Sequence, residues 1–514
     1  MTAVLILYLL LMAMLTIYGL HCYYLAWRVS HSGAEWARRI TELRTEGLRC
    51  LLGRAEWPRV LVQIPIYNEP SVVERCVRAC AGLDYPPDRL TVQVLDDSTD
   101  STREIADRVA SELRAQGRPV EVLRRNHRAG FKAGALADGL AESDAEFVAI
   151  FDADFSPPSD FLRRAVPLLL ADARAACVQG RWEHVNRWEN LLTRAQALGI
   201  DGHFSMEQLA RCSSGWSMNF NGSVGVWRAS AIHDAGGWSA ETLTEDLDLS
   251  YRAQLRGWTI LYDNELACPG ELPSTLAAFK SQQQRWACGS IQTARKLFSR
   301  VWSSEWSLSR KVEAMFHLFG YAVCPAMLIL ALMTPAVLWT LQHEAIAGWI
   351  WPVWGLVWFA ALGPSLLCLM ASRWLRRPWR CIRDLPLLVL FGTAMCWNNT
   401  IGVMRALTVP FREFVRTPKS GGRRRAMPAP RWSTYAVELL IGVTLSASIA
   451  LVTRRNWYCA FPMPVLLTSA FWSLGCVGFR EAARSRRQEE LDDVDVDLEL
   501  AGVEETADCE AVEA

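Results

Sequence analysis

Val60-Leu61-Val62-Gln63-Ile64-Pro65-Ile66 is an apolar, β-branched run that stops on the polar Tyr67-Asn68-Glu69, and its reading decides the fold of the first half of the chain. A short continuous apolar run bounded by turn residues reads as a strand buried on both faces. Helical periodicity follows over Ser71–Leu83, then a second run, Thr91–Leu95, ending on Asp96-Asp97. Ser101–Gln116 reads as a helix, Val120–Leu123 as a strand, Lys132–Ala141 as a helix and Phe147–Phe151 as a fourth strand ending on Asp152. This alternation predicts a parallel sheet with helices on both faces. Ligands of such sheets bind beyond the carboxyl ends of the strands, so Tyr67-Asn68-Glu69, Asp96-Asp97 and Asp152-Ala153-Asp154 converge on one edge. The chain has no G-x-x-x-x-G-K-S/T loop and no G-x-G-x-x-G. Phosphates must be held by other means.

Asp152-Ala153-Asp154 supplies one. Residues two apart in an extended segment point to the same side, and two hard oxygens hold Mg²⁺ or Mn²⁺ while leaving positions for water and a diphosphate. The competing reading is a turn that caps a helix near Ser159. Thr244-Glu245-Asp246 opens a helix running to Gly257, with an N-cap threonine and acids in its first turn. Asp248 lies two residues on, on another helix face. In Gln282-Gln283-Gln284-Arg285-Trp286, the residues Gln282, Arg285 and Trp286 share an i, i+3, i+4 stripe. An indole face stacks on sugars and a guanidinium fork binds diphosphate oxygens; a bilayer-interface anchor explains the tryptophan alone. Lys132, in Gly130-Phe131-Lys132-Ala133-Gly134, reads either as an exposed helix-start lysine or as a site residue.

Asp97, Asp152-x-Asp154, Thr244-Glu245-Asp246 and Gln282-x-x-Arg285-Trp286 resemble, in order and spacing, the motif series of family-2 processive glycosyltransferases, the cellulose synthase superfamily. Gln93–Asp100, Phe151–Phe155 and Glu271-Leu272-Pro273-Ser274-Thr275 read like its mannan- and glucomannan-synthase branch and bacterial relatives. The resemblance implies an α/β GT-A-like domain, a Rossmann-like mixed sheet, on the cytosolic face between transmembrane helices. By the same resemblance Asp246 is the general base, and Asp152 and Asp154 hold the metal. Pro65, Tyr67, Glu69, Asp97 and Lys132 bind the nucleotide sugar, while Glu245, Gln282, Arg285 and Trp286 face the acceptor and diphosphate. Asp96 is expected to cap the following turn. Phe220-Asn221-Gly222-Ser223 resembles an acceptor loop, although the cellulose branch carries Cys-Gly there.

The hydrophobic fraction is 51% and there are 23 tryptophans, an excess concentrated in apolar runs. Val4–Trp27 is uncharged and long enough to span a bilayer, and without a basic n-region it reads as a signal anchor. Further runs occupy about 314–341, 349–371, 384–409, 434–453 and 459–479. Arg28, Arg38, Arg39, Arg310 and Lys311 put residues 30–310 on the cytosolic side. Basic clusters flank both ends of 384–409, which carries Asn398-Asn399-Thr400 and Arg405. This run is therefore expected to be an interfacial or re-entrant helix. It returns Phe414-Val415-Arg416-Thr417-Pro418-Lys419, similar to the family's gating loop, to the catalytic side, where Thr417 and Lys419 reach the diphosphate. Glu489–Glu513 is acidic without a base and reads as a solvated tail. The 15 cysteines show no C-x-x-C pair and His127, His184, His203 and His233 no ligand spacing, so all read as structural.

The domain organisation expected is an anchor at 1–28, a linker at 29–57, the catalytic domain at 58–300, a transmembrane and interfacial region at 310–480 with a gating-like loop at 411–425, and an acidic tail at 481–514. The function expected is inverting hexosyl transfer from GDP-mannose or UDP-glucose to a growing β-linked polysaccharide, coupled to export. A single-transfer glycolipid enzyme of the ceramide-glucosyltransferase kind shares two of the motifs. A nucleotide-sensing transporter would need ionisable residues in its spans, which carry almost none. A formal net charge of +0 implies no nucleic-acid partner. Membrane lipids and a polysaccharide or lipid acceptor are the partners expected. Alanine- and arginine-rich composition points to a bacterial inner membrane.

Overall fold

The computed structural model describes residues 2–341, 350–408, 433–454, 462–484 and 486–487. The gating-like loop with Thr417 and Lys419, and the acidic tail from 488, lie outside the described residues. Helix α1 (Thr2–Leu52) precedes the α/β region: β1 (Val60–Ile66), α2 (Val73–Ala81), β2 (Leu90–Asp96), α3 (Thr102–Ala115), β3 (Val120–Leu123), α4 (Phe131–Ala141), β4 (Phe147–Ile150), α5 (Phe161–Ala171) and β5 (Ala175–His184). Then come α6 (Leu191–Gly202), a π-helical turn (His203–Gln208), α7 (Leu209–Ser213), β6 (Gly225–Arg228), α8 (Ala229–Asp234), α9 (Glu245–Leu255), β7 (Thr259–Gly270) and α10 (Leu276–Trp302). The rest is helical: α11 (Leu308–Leu318), α12 (Val323–Leu341), α13 (Ile350–Ala361), α14 (Gly363–Trp374), α15 (Leu385–Thr408), α16 (Ser433–Arg454) and α17 (Pro462–Arg484).

The strands form a seven-stranded sheet of order β3-β2-β1-β4-β6-β5-β7. The expected parallel pairing holds for β3-β2-β1-β4, with Ile66 opposite Asp96 so that two polar strand ends share one edge. β6, which carries no helical crossover pattern in the sequence, inserts antiparallel to both β4 and β5, making the sheet mixed. Buried Val60, Val62, Ile64, Val92, Val94, Phe147 and Phe151 pack under α2, α3 and α5 on one face. Gln63 and Gln93 are buried between the sheet and α4, and the Gln63 amide donates to Gln93 Oε1 (3.0 Å) and to the Leu136 carbonyl (3.2 Å). Gly139 lets α4 lie on this pair, because a Cβ there would stand 2.3 Å from Gln93 Oε1.

The stretch 29–57, expected to be a linker, is helical as far as Leu52. Its 51 residues make α1 about 76 Å long at 1.5 Å per residue. Only the first half is uniformly apolar; the second buries Ile40 and Leu43 in the catalytic core and donates Trp36 Nε1 to the Tyr262 carbonyl (2.9 Å). Interior packing makes this half of α1 part of the domain.

Among the described residues six helices are long and apolar enough to cross a membrane: Ala3–Leu52, Gly320–Thr340, Val353–Trp374, Trp379–Thr408, Tyr435–Arg454 and Pro462–Arg484. α15 meets the length and hydropathy of a span, and it runs through Asn398-Asn399-Thr400 unbroken. Asn398 and Asn399 are buried, Asn398 donating to the Lys280 carbonyl (2.9 Å), and Arg405 donates to Gln284 Oε1 (2.6 Å), so these polar groups meet α10. The near absence of ionisable residues in the spans also needs correction. Glu438 of α16 is fully buried and paired with Lys280, a partner too distant in sequence to foresee.

Gly139→Ala tests the α4 seat. Overpacking is expected to cost about 1–3 kcal/mol, read as a lowered thermal midpoint in detergent. Gly355→Ala, where nothing stands within 4 Å of the new Cβ, is the control expected to match wild type. Equal midpoints for the two variants would show that the seat has room.

Candidate active site

At the carboxyl edge of the sheet lies a cavity of about 210 Å³. Pro65, Tyr67, Glu69, Asp97, Lys132, Asp152, Asp154, Glu245, Asp246, Gln282, Arg285 and Trp286 all line it. These twelve candidate site residues are thus brought to one place.

The ends of β1 and β2 are tied together first. The Asn68 N–H donates to Ser98 Oγ (3.0 Å), and Asn68 Oδ1 accepts from the Thr99 N–H (2.8 Å). Asp96 is buried and accepts from the Ser98 N–H (2.9 Å) and Arg124 Nε (2.8 Å), the turn-capping role expected for it. Asp97 turns to the cavity, clasped by the Arg125 guanidinium at 3.0 and 2.5 Å. Arg125 also donates to the Ala129 and Phe131 carbonyls, fixing the loop before α4. Phe131 enters α4 with φ +50°, a left-handed conformation costly for a bulky residue. That turn delivers Lys132 into the cavity.

Lys132 Nζ donates to Asp152 Oδ1 (2.6 Å) and to the Gly222 carbonyl (2.8 Å) and stands 3.7 Å from Glu245 Oε1. Burial disfavours its ammonium, but Asp152 and Glu245 outweigh that and raise its pKa above the ordinary lysine value. The loop before β6 completes this wall. Ser223 Oγ accepts the Asp152 N–H (3.0 Å), and Gly222, at φ +77°, lies so close to Asp246 that a Cβ would stand 2.9 Å from Oδ2. Asp246 Oδ1 accepts the Leu247 N–H (2.8 Å). Burial and the neighbouring Glu245 push the Asp246 carboxyl up to about 7, with Lys132 partly opposing them, and burial raises Glu245 as well. The Asp246 carboxyl is thus held above the ordinary carboxylate range, an effect of burial that the sequence did not show.

Two further expectations change. Thr244 makes no side-chain cap on α9, and its hydroxyl pairs with that of Thr293 on α10 (3.1 Å), so α10 competes successfully for it. Asp248 is fully buried and paired with Arg252 (2.7 Å) and Lys296 (2.9 Å), away from the cavity. The helix-capping alternative for Asp152–Asp154 is not seen: α5 begins at Phe161, beyond Asp160.

Asn221 of the expected acceptor loop and Glu271 of the Glu271–Thr275 motif also line the cavity, as do Arg128, Trp182, Glu183 and His184, which sequence reasoning missed. The Arg128 guanidinium lies over the Tyr67 ring, 3.3 Å from its centroid. His184 pairs with buried Asp201 (3.3 Å), burial lowering its pKa, and Glu183 accepts from Arg377 at 2.7 Å. These residues come from β5, loops and the segment after α14, and no local motif marks them. The hard-oxygen donors of Asp152 and Asp154 suit Mg²⁺ or Mn²⁺. Among the described residues no group of three or more His, Cys, Asp and Glu side chains gathers for a metal. The described cysteines are all free thiols.

The profile described as "Glycosyltransferase like family 2" matches residues 58–289. The chain is 38% identical over 376 residues to "Probable glucomannan 4-beta-mannosyltransferase 2" of Oryza sativa subsp. japonica, covering 71% of this chain and 63% of the relative, which is under two thirds of its length. It is 37% identical over 422 residues to "Glucomannan 4-beta-mannosyltransferase 1" of the same plant, covering 79% and 78%. Against "Glucomannan 4-beta-mannosyltransferase 2" of Arabidopsis thaliana, identity is 38% over 394 residues, covering 73% and 70%. Among solved structures, the mannosyltransferase PcManGT of Pyrobaculum calidifontis, in complex with GDP-Man and Mn²⁺, shows 20% identity at TM-score 0.47, covering 77% of this chain and 99% of that one. The chain belongs to glycosyltransferase family 2 and is a glycosyltransferase whose GT-A-like domain is flanked by long apolar helices.

Proposed function

We propose that the enzyme transfers mannosyl units from GDP-mannose to a growing β-linked polysaccharide, with inversion at the anomeric carbon. The observation that carries this reading is the meeting, in one cavity, of the Asp152–Asp154 pair, the buried Glu245–Asp246 pair and the Gln282–Arg285–Trp286 stripe. The printed names of its relatives support mannose as the sugar. UDP-glucose is the donor to exclude.

Asp246 accepts the proton of the acceptor hydroxyl as its oxygen bonds to the anomeric carbon and the bond to the diphosphate breaks. Its raised pKa matches a base that must receive a proton near neutrality and keep it off the product. Lys132 lies beside Asp152 and Glu245, where its positive charge offsets that of a departing diphosphate. Arg285 offers a donor fork to diphosphate oxygens and Trp286 a ring face to a sugar. Asp152 and Asp154 would hold a divalent cation, which neutralises diphosphate charge when bound. Arg28, Arg38, Arg39, Arg310 and Lys311 favour a cytosolic catalytic domain, with α15 docked against its α10. The relatives named above are plant proteins and lend no support to a bacterial inner membrane.

Purified full-length enzyme incubated with labelled GDP-mannose and, separately, UDP-glucose is expected to build a long product from the first alone. A product limited to one sugar on lipid would replace polymerisation with glycolipid transfer. Asp246→Asn should lower turnover by about 10²–10⁴-fold with nucleotide affinity retained; a variant keeping a tenth of wild-type turnover would remove Asp246 from the base role.

A pH profile checks the same group. The base works deprotonated, so kcat/KM for the donor should fall by about tenfold per pH unit on the acid side, with a midpoint near the value of about 7 to which burial and Glu245 push Asp246. A midpoint in the ordinary carboxylate range would assign the limb to another group. Asp154→Ala should abolish the Mn²⁺-dependent part of GDP binding, measured by calorimetry with and without metal. Equal metal dependence in both proteins would take Asp154 out of the metal site.

A further inference from the structure

α10 works on two faces. Gln282, Arg285 and Trp286 look into the cavity. Lys280, Gln284 and Ile291 recur at i, i+4 and i+11 and face the apolar helices. On that second face Ala287, Cys288 and Ile291 pack against Val403 and Ala406 of α15, and polar contacts flank them. Lys280 Nζ donates to Glu438 Oε1 of α16 (2.5 Å) and lies 4.8 Å from the Tyr435 ring centroid. Gln284 Oε1 accepts from Arg405 of α15. The Glu481 carboxylate of α17 accepts the Leu276 N–H (2.9 Å), one of the orphan donors of the α10 first turn.

The Lys280–Glu438 pair is the costly member of this set. Relative exposures are 8% and 0%, and among the described residues neither Glu438 Oε2 nor the buried Tyr435 hydroxyl has a hydrogen-bond partner. Desolvation of a buried pair roughly cancels its attraction, and an unsatisfied carboxylate oxygen adds to the cost. Two apolar side chains would hold the helices together as firmly. What a charge pair supplies beyond adhesion is a single register, since any slide or rotation of α10 strands two buried charges. A slip of one helical turn moves every residue of α10 by about 5.4 Å. α10 also holds the segment entering α9, where the Leu243 N–H donates to Gln292 Oε1 (3.0 Å) and Thr244 pairs with Thr293.

We propose that Lys280 and Glu438 are positioning residues: their buried pair registers α10 against α16 and so holds Arg285 at the diphosphate and Trp286 at the sugar. This rests on the glycosyl-transfer reading above. The chemical site is thereby coupled to a membrane helix through one ion pair.

The test uses the full-length enzyme in lipid nanodiscs, with Lys280→Met, Glu438→Gln, Lys280→Arg and the double variant Lys280→Met/Glu438→Leu. Four quantities are measured: transfer kcat and KM, the ratio of donor hydrolysis to transfer, Mn²⁺-GDP affinity, and hydrogen exchange of residues 276–302. Each charge-breaking single variant should lower transfer kcat by about 10–100-fold, the effect of misplacing reacting groups by an ångström or so, and raise the hydrolysis ratio. Mn²⁺-GDP affinity should fall by less than transfer, because Lys132, Asp152 and Asp154 keep their places while Arg285 shifts, Lys280→Arg should retain most transfer, and α10 exchange should quicken in the single variants. The double variant should regain wild-type thermal stability while transfer stays low, an outcome that mere packing does not produce. Recovery of transfer along with stability, or wild-type kcat and exchange in the single variants, overturns the proposal. A wild-type enzyme that transfers no hexose refutes the functional reading instead; the exchange of 276–302 still decides the register, unchanged protection overturning it.

Discussion

The ammonium of Lys132 stands between Asp152 and Glu245, 2.6 and 3.7 Å away, and the catalytic domain is organised around bringing these groups together. Asp152 arrives at the end of β4, Lys132 at the strained start of α4, and Glu245 and Asp246 in the first turn of α9. Burial, and after it repulsion from the neighbouring Glu245, push the Asp246 carboxyl to about 7. A site loaded in this way has a built-in demand for positive charge. The demand suits a reaction in which a divalent cation and a diphosphate enter together and a proton must be taken up nearby.

That crowding survives because the surroundings over-determine it. Arg125 locks Asp97 and the loop before α4, Ser223 holds the backbone of Asp152, and Gly222 passes Asp246 at a distance that no side chain would allow. Gln63 and Gln93 seat α4 from beneath. None of these residues touches the reacting atoms in the reading offered above. They make each charged group reach its place with its alternatives closed off.

The link between the domain and the apolar helices is equally specific. α1 continues as one helix into the catalytic core, and α10 carries cavity residues on one side and docks on α15, α16 and α17 with the other. The polar groups of α15 that look misplaced in a span, Asn398 and Arg405, are answered by α10. A helix pair that satisfies its polar groups internally is tolerable at the membrane boundary.

Strand periodicity and polar strand ends were enough to read the parallel half of the sheet, because β1 to β4 alternate with helices over short, local intervals. The motif residues from Pro65 to Trp286 were legible as candidates, since their chemistry is unusual at the ends of apolar runs. Three things were not legible. The antiparallel β6 depends on a pairing between strands far apart in sequence. The environment of Asp246 depends on burial that only packing creates, which is why the rise in its carboxyl pKa was not foreseen. The partners of Glu438, Thr244 and Glu183 come from segments tens to hundreds of residues away. Local sequence determines which side chains stand at the ends of strands and helices, because periodicity and propensity are short-range. Only the tertiary structure decides which charges share a cavity, because desolvation and Coulomb energy depend on distances that the chain order does not contain.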